Sequence, residues 1–410
     1  MTEGAIKPFQ LRPMRAGEKR KVAIVHGVLD AGNGGSEECA IWAVEALKSD
    51  FEVSLVVPGT VCLERLNEAY GTSVKADEVR ICSLPIPRIL TRRYAPSRLR
   101  GAFASRLLRP VISHYDILIS TYNLCNFGRP GIQRIADLSW DETLRRRFDP
   151  SPSGVRGWYH RFGWLRRFYL QVCSAIAASP EGNPLSSGDI IVANSQWTAA
   201  KLKEFYGIRS RIVYPPVAGH FENLERERRE RNFVCIGRIS PEKRVERMIE
   251  IIGAVRSRGH DIRLRIVGQL DSSRYAKAIS ALAARNSNWV VMEGKVVGSA
   301  KERMMAECLY GIHGREGEAF GIGVAEMIKA GCITFAPAEG GPAEILGHDA
   351  LLYHGNDDAV RKIIAVLASE SLRTQLAKHL RLQAGRFSPQ RFMSGFRSAV
   401  DDFLESAQVS

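Results

Sequence analysis

Two glutamates, Glu318 and Glu326, stand eight positions apart in the run REGEAFGIGVAEMIKAG (315–331). Between them lies FGIG, a glycine-rich turn that opens a helix, with Phe320 and Gly321 in the turn. Glu318 is therefore expected on a loop and Glu326 in the first turns of the helix. Free N–H groups near Ile322 and Gly323 would face a ligand. Ionised carboxylates suit sugar hydroxyls because each oxygen accepts hydrogen bonds, and one deep in a cleft can clamp a ribose diol. Glu326 can equally serve only to complement the helix dipole. A second run, GRISPEK (237–243), places Gly237, Arg238 and Lys243 at a strand-to-helix turn. Ser240 is the expected N-cap and Pro241 the first helical residue. Arg238 as a fork and Lys243 as a point charge would converge on a diphosphate. The plainer alternative is two surface cations at a helix start. A third run, DAGNGGSEE (30–38), follows the first strand. Gly34 and Gly35 would let the backbone approach an anion, although such turns are as often packing devices. The run is not G-x-G-x-x-G and no acid follows at a ribose distance, which counts against a nicotinamide enzyme.

The surrounding text alternates β-branched runs with amphipathic stretches. KVAIVHG (21–27), FEVSLVVP (51–58), YDILIST (115–121), DIIVANS (189–195) and RIVYPPV (211–217) read as strands. After the charged run ENLERERRERN (222–232) the pattern restarts. NFVCIGR (232–238), IRLRIVGQ (262–269), WVVMEG (289–294), YGIHG (310–314), CITFAPA (332–338) and ALLYH (350–354) read as strands with helices between. This is βαβ grammar, so the expected fold class is α/β with doubly wound parallel sheets. We divide the chain into a basic tail (1–19), a first Rossmann-like domain (20–220), a second (221–388) and a terminal helix (389–410) that packs back toward the first. Ligands in such folds sit at the carboxyl ends of the strands, on the loops that carry the three runs.

The joint pattern resembles the donor site of GT-B glycosyltransferases of the retaining family-4 class. EAFGIGVAE, GRISPEK, AGCITFAPAEGGPAEIL and the first-domain GG turn carry the resemblance, which spans about residues 21–405. ANSQWTAAKL (193–202), IVYPPV (212–217), GIGVAEMIKAGCI and GGPAEI most resemble the branch that includes α-1,2-mannosyltransferases elongating lipid-linked oligosaccharides. The resemblance implies two Rossmann-like domains facing across a cleft. It implies that Arg238 and Lys243 bind the donor diphosphate, that Glu326 binds the ribose, and that Glu318 contacts the transferred sugar and supports its positive charge. By the same resemblance the amides of Gly34 and Gly35 touch phosphate or the sugar-acceptor region, and a base pocket forms around Glu293–Val297. His313 lines the donor pocket, or else is a satisfied histidine at a strand end. Family members often carry a first-domain histidine in a Y-x-H-x-P motif; here RIADLSWDE (134–142) stands instead. Asp137 would replace it, or Trp140 and Asp141 would shape an altered acceptor site. The donor implied is a nucleotide diphosphate sugar, GDP-mannose first, and the acceptor a glycan or polyprenyl-linked glycan. Departure of the diphosphate with attack from the same face would give retention; double displacement is the rival and needs a carboxylate on the opposite sugar face. The chain has no D-x-D triplet, so no catalytic divalent metal and no further cofactor are expected.

The bulk composition sets limits on other readings. A chain of 410 residues is long enough for two domains. None of its eight cysteines falls in a C-x-x-C pair, which points to free thiols in a reducing compartment. No apolar run of the roughly 18 residues needed to span a bilayer occurs, and a cytoplasmic protein is expected, peripheral on the cytoplasmic face of the membrane. The net charge is +14. Residues 88–112 hold seven arginines and no acid, and residues 156–170 interleave four arginines with six aromatics. Both stretches suit an anionic membrane surface. No RNP, zinc or KH signature is present, so nucleic acid is not expected as partner. Two competing readings remain: a nucleotide-sugar epimerase of the same shape, and a non-catalytic basic protein that binds membrane or nucleic acid.

Overall fold

The computed structural model describes residues 11–29, 34–91, 97–138, 163–177, 188–219, 221 and 229–409. The first unit runs β1 (Lys21–Val25), α1 (Gly35–Leu47), β2 (Glu52–Pro58), α2 (Leu63–Tyr70), β3 (Val79–Leu84) and α3 (Arg88–Thr91). It continues with α4 (Ser97–Ile112), β4 (Ile117–Ser120), β5 (Ile132–Ile135), α5 (Gly163–Ala177), β6 (Ile190–Ala193), α6 (Gln196–Tyr206) and β7 (Arg211–Ile212). The second unit runs β8 (Glu230–Ile236), α7 (Val245–Arg256), β9 (Leu264–Val267), α8 (Arg274–Arg285), β10 (Val290–Gly294) and α9 (Gly298–Glu307). Then come β11 (Cys308–Ile312), α10 (Ile322–Lys329), β12 (Ile333–Pro337), α11 (Gly341–Leu346), β13 (Leu352–Tyr353), α12 (Asn356–Ala368), α13 (Glu370–Ala384) and α14 (Pro389–Val409).

All strand pairs are parallel. The first sheet has the order β3-β2-β1-β4-β5-β6-β7 and the second β10-β9-β8-β11-β12-β13. In each, the first strand of the unit lies inside the sheet and the order reverses beside it, which opens a crevice at the carboxyl ends. The expected pair of doubly wound sheets is therefore the architecture found.

Helices cover both faces of a parallel sheet, so its central strands are apolar on both sides. Val22, Ala23 and Ile24 of β1 are fully buried, as are Phe233 and Val234 of β8. Burial of each such side chain contributes about 1.5–3 kcal/mol for the larger aliphatics and aromatics. In the second core Phe233 stacks on Tyr310 with centroids 4.9 Å apart.

Helix α14 leaves the second unit and packs on α1 of the first. Its residues Phe392, Phe396, Val400 and Phe403, spaced three or four apart, enter the core under β1 and α1. Before β1, Arg12 donates from Nε to Asp116 at 2.8 Å and ties that segment to the sheet.

Two strands departed from the sequence reading. β5 carries Gln133 and Arg134, both buried, so its text lacks an apolar run. β3 lies at the edge of its sheet and is half exposed, which leaves only a weak pattern. The run 211–217 forms only the two-residue strand β7. Among the described residues no helix is long and apolar enough to cross a membrane. All eight cysteines are free; five are buried, whereas Cys62 is exposed.

Candidate functional site

The loop after β8 carries GRISPEK, and its local structure differs from the expected single helix. Pro241–Lys243 form one 3-10 turn that ends at Arg244 in the left-handed region, φ 50°, before α7 begins at Val245. A non-glycine residue there is uncommon and costs local strain. The hydroxyl of Ser240 is buried, has no partner among the described residues and does not cap the turn. Lys243 and Arg238 pair with different carboxylates. The Lys243 side chain lies in the site, 2.5 Å from Glu318 Oε2. Arg238, 63% exposed, lies 3.7 Å from Glu242. Gly237 lines the same turn, close to the aliphatic part of Lys243.

Glu318 lies on the loop after β11, as expected. Its backbone bridges Gly340 and accepts from Gly341 N–H at 2.7 Å. The EAFG loop and the GGP turn thus hold each other. Its carboxylate faces three basic side chains: Lys243, and at 3.6 Å both His313 Nε2 and Arg315 Nη1. Burial alone would raise this carboxyl, but the charges of Lys243 and Arg315 outweigh it and hold it well below the usual range. Burial pulls the Lys243 ammonium down, and the Glu318 charge opposes that pull. Each partner's charge favours the charged form of the other. His313 is pushed down to about 3, first by burial and then by Lys243. It is a neutral imidazole at neutral pH, and among the described residues its buried Nε2 has no hydrogen-bond partner.

Gly321 caps α10 at φ 97°, a conformation that favours glycine, and a Cβ there would also meet Pro342 at 2.9 Å. Ile322 and Gly323 begin the helix, and Phe320 is buried beneath it. Glu326 falls in the helix as expected, yet it does not join Glu318. It pairs with Lys301 of α9 at 2.5 Å, on the side that faces Glu38 of α1. Glu38 is buried, accepts from Ala218 N–H at 3.2 Å, and is pushed up to about 8 by burial and then by the Glu326 charge.

Across the cleft Gly34 caps α1 and Gly35 opens it. A Cβ on Gly35 would lie 1.7 Å from Ile322 Cδ1. The two units thus touch where a glycine meets the first residue of the opposing helix. This contact gives Gly35 a packing reason that the anion argument did not contain. Asp137 follows β5. Asn123 Nδ2 donates to its Oδ1 at 3.0 Å and Tyr122 Oη donates to its Oδ2 at 3.4 Å. The Arg238 charge registers on Tyr122, so this group of the first unit faces the loop after β8. Trp140 and Asp141 lie outside the described residues, as do residues 92–96 and 156–162 of the basic stretches. In the expected base pocket, Glu293 is engaged by Arg265 Nε at 2.7 Å.

Two further motifs join the units. Glu344 of the GGPAE turn accepts from the amides of Gln196 at 2.9 Å and Trp197 at 3.3 Å, at the start of α6. Ser195 Oγ donates to Ala319 O at 2.5 Å. An acid from one unit thereby caps a helix of the other. Sequence reasoning missed Lys301, Arg315, Glu38 and Tyr122 as parts of the site. Arg315 and Glu38 stood inside quoted runs, but Lys301 and Tyr122 had no motif to mark them.

Two Rossmann-like units that face each other, with basic and acidic loops at the carboxyl ends of the second sheet, define the GT-B architecture. Residues 219–383 match the family model described as glycosyl transferases group 1, so the second unit carries that domain. The chain is 27% identical over 245 residues to the mouse GDP-Man:Man(3)GlcNAc(2)-PP-Dol alpha-1,2-mannosyltransferase, covering 53% of this chain and 49% of the relative. The Xenopus laevis protein of the same name is 28% identical over 242 residues, covering 54% and 50%. The chain thus spans about half the length of the curated relatives it matches. Among solved structures it shares its fold with WaaG, a glycosyltransferase involved in lipopolysaccharide biosynthesis, at TM-score 0.65 and 16% identity over 93% of this chain and 99% of the other. It likewise shares its fold with sucrose-phosphate synthase from Thermosynechococcus elongatus, at TM-score 0.66 and 14% identity over 95% and 100%.

Proposed function

We propose that the protein is a retaining glycosyltransferase that moves a hexose, mannose by preference, from GDP-mannose or a related nucleotide diphosphate sugar to a lipid-linked glycan. The observation that carries this reading is the buried Lys243–Glu318 pair beside the start of α10. It sets a cation for a departing phosphate next to a carboxylate for an electron-poor sugar. The group 1 domain and the GDP-Man relatives support the same reading.

In this proposal Lys243, with Arg238 from the exposed side, stabilises charge on the diphosphate as the glycosidic bond breaks. The first amides of α10 add to that stabilisation. Glu318 supports the positive charge developing on the sugar, and His313 Nε2 meets a sugar hydroxyl. Glu326 exchanges its bond to Lys301 for the ribose diol. The acceptor hydroxyl enters beside Asp137 and attacks on the face the diphosphate leaves, and a phosphate oxygen takes its proton. We assign no step to a divalent metal.

The reading extends to a peripheral membrane location on the cytoplasmic face. On α5, Trp164, Phe168 and Val172 recur every four residues, and Trp164 and Phe168 are 69% and 63% exposed. Arg167 is exposed beside them. An apolar stripe with adjacent arginine suits an anionic lipid surface.

The test is thermal shift and donor hydrolysis with GDP-mannose, UDP-glucose, UDP-GlcNAc and UDP-galactose, on wild type, Lys243→Ala and Glu326→Ala. One donor should stabilise wild type and neither variant. Indifference to every donor removes the proposal. The anomeric coupling of the product in proton NMR decides retention, and turnover in excess EDTA decides metal dependence.

A further inference from the structure

Arg134 of β5 is 1% exposed, yet among the described residues no carboxylate pairs with it. Its Nη1 donates to Thr121 O at 3.3 Å, and its buried Nε has no partner among the described residues. A buried guanidinium in this state is costly, and the usual compensation is a bound or paired anion. Arg134 is not isolated. His26 at the end of β1 bonds through Nδ1 to Thr121 Oγ1 at 2.9 Å, and its ring meets the edge of Tyr122 with centroids 6.0 Å apart. The charges of both Arg134 and Arg100 reach His26 and, after burial, hold it neutral. Arg100 of α4 is half-buried, and its charge also reaches Tyr122. Asp137 follows β5, and Tyr122 and Asn123 already engage it. Arg134 thus lies at the carboxyl end of β5, with His26 at the end of β1 and the charge of Arg100 on α4 within reach, where an open parallel sheet places ligands.

We propose that Arg100 and Arg134 form an anion subsite on the acceptor side of the cleft, for a phosphate or diphosphate carried by the acceptor. The inference rests on the transferase reading and names the acceptor's charged group. It is separate from the donor site, whose diphosphate is served by Lys243 and Arg238 of the other unit. Its position agrees with a lipid-linked source. Helix α4, which bears Arg100, packs along α5, which bears the exposed Trp164–Phe168–Val172 stripe. A prenyl chain along that stripe would bring its diphosphate to the α4 side of the cleft.

The experiment titrates the full chain by calorimetry after saturation with GDP. The probes are farnesyl diphosphate, farnesol and inorganic pyrophosphate. Farnesyl diphosphate should bind beside GDP, and Arg100→Gln and Arg134→Gln should each weaken it about ten- to a hundredfold, the value of one charge-assisted hydrogen bond. Farnesol should not distinguish wild type from Arg100→Gln. Farnesyl diphosphate binding more tightly than pyrophosphate assigns the site to a lipid headgroup; equal affinity assigns it to free diphosphate. Because Arg134→Gln can unfold the sheet, Arg100→Gln on the half-buried helix face is the deciding variant, with thermal melting recorded for both. Equal farnesyl diphosphate affinity in wild type and Arg100→Gln overturns the subsite, and so does its complete competition by GDP. If no nucleotide binds, the transferase reading fails, while the farnesyl diphosphate titration without nucleotide still judges the subsite.

Discussion

Glu318→Gln separates a carboxylate that serves the sugar from one that serves the nucleotide. The amide keeps the shape of the side chain and can still accept from Lys243, now 2.5 Å from Oε2, but the charge is gone. Breaking a buried ion pair costs about 3–5 kcal/mol when one charge is stranded; the remaining acceptor reduces this to about 2 kcal/mol. The nucleotide should respond in the opposite direction. At an effective dielectric near 20, a phosphate charge about 8 Å from the carboxylate is repelled by about 2 kcal/mol, and water in an open cleft reduces that to about 1 kcal/mol. Removing the charge also frees Lys243 for phosphate. GDP should therefore bind about fivefold tighter to Glu318→Gln by calorimetry, while kcat for transfer falls about a hundredfold because charge on the sugar is no longer supported. Lys243→Ala should weaken GDP by one charge-assisted hydrogen bond, about ten- to a hundredfold. If Glu318→Gln instead weakens GDP as Lys243→Ala does, Glu318 belongs to the nucleotide site and the assigned roles are wrong.

Glu38 is pushed up to about 8 from the ordinary 4.5, so the folded state holds its proton where the unfolded state has lost it. Stability should fall as pH rises from about 4.5 to 8, and Glu38→Gln should flatten that fall and stabilise the protein at pH 8 by about 2 kcal/mol in urea titrations. His313 runs the other way: its folded value of about 3 lies below the ordinary 6.5, so its contribution is complete above pH 6.5 and is lost progressively as pH falls toward 3; His313→Gln should remove that component of the acid limb. Gly35→Ala should impair donor turnover by pushing on Ile322, and Ile322→Ala in the same chain should restore much of it; turnover that stays at the single-variant level would show that room for Ile322 is not what Gly35 is for. Trp164→Ser with Phe168→Ser should lower co-sedimentation with anionic phosphatidylserine vesicles without changing the melting temperature, and unchanged sedimentation would end the membrane assignment of α5.

Much of the molecule was legible because its signals are local. Central strands of a parallel sheet are apolar on both faces, so VAIV and NFVCI declared themselves, and turn glycines marked where loops meet helices. Glu318 on a loop and Glu326 on a helix followed from FGIG alone. Periodic aromatics announced α14, although only its packing on α1 shows why they are there. The failures had a common cause. β5 was unread because Arg134 and Gln133 are buried polar residues, and their burial depends on neighbours far along the chain. The break at Arg244 was unread because backbone in the left-handed region is held by surrounding structure and not by an arginine's own preference.

By itself the sequence determined the fold class, the place of the loops and the residue types that can do the chemistry. Tertiary structure alone decided which of them meet. It joined Lys243 to Glu318 across 75 positions, gave Glu326 to Lys301 instead, and set buried Glu38 against Glu326. It also set Gly35 against Ile322 of the opposite unit. Charge pairing falls steeply with distance and rises with burial, and neither quantity exists until the two sheets have packed.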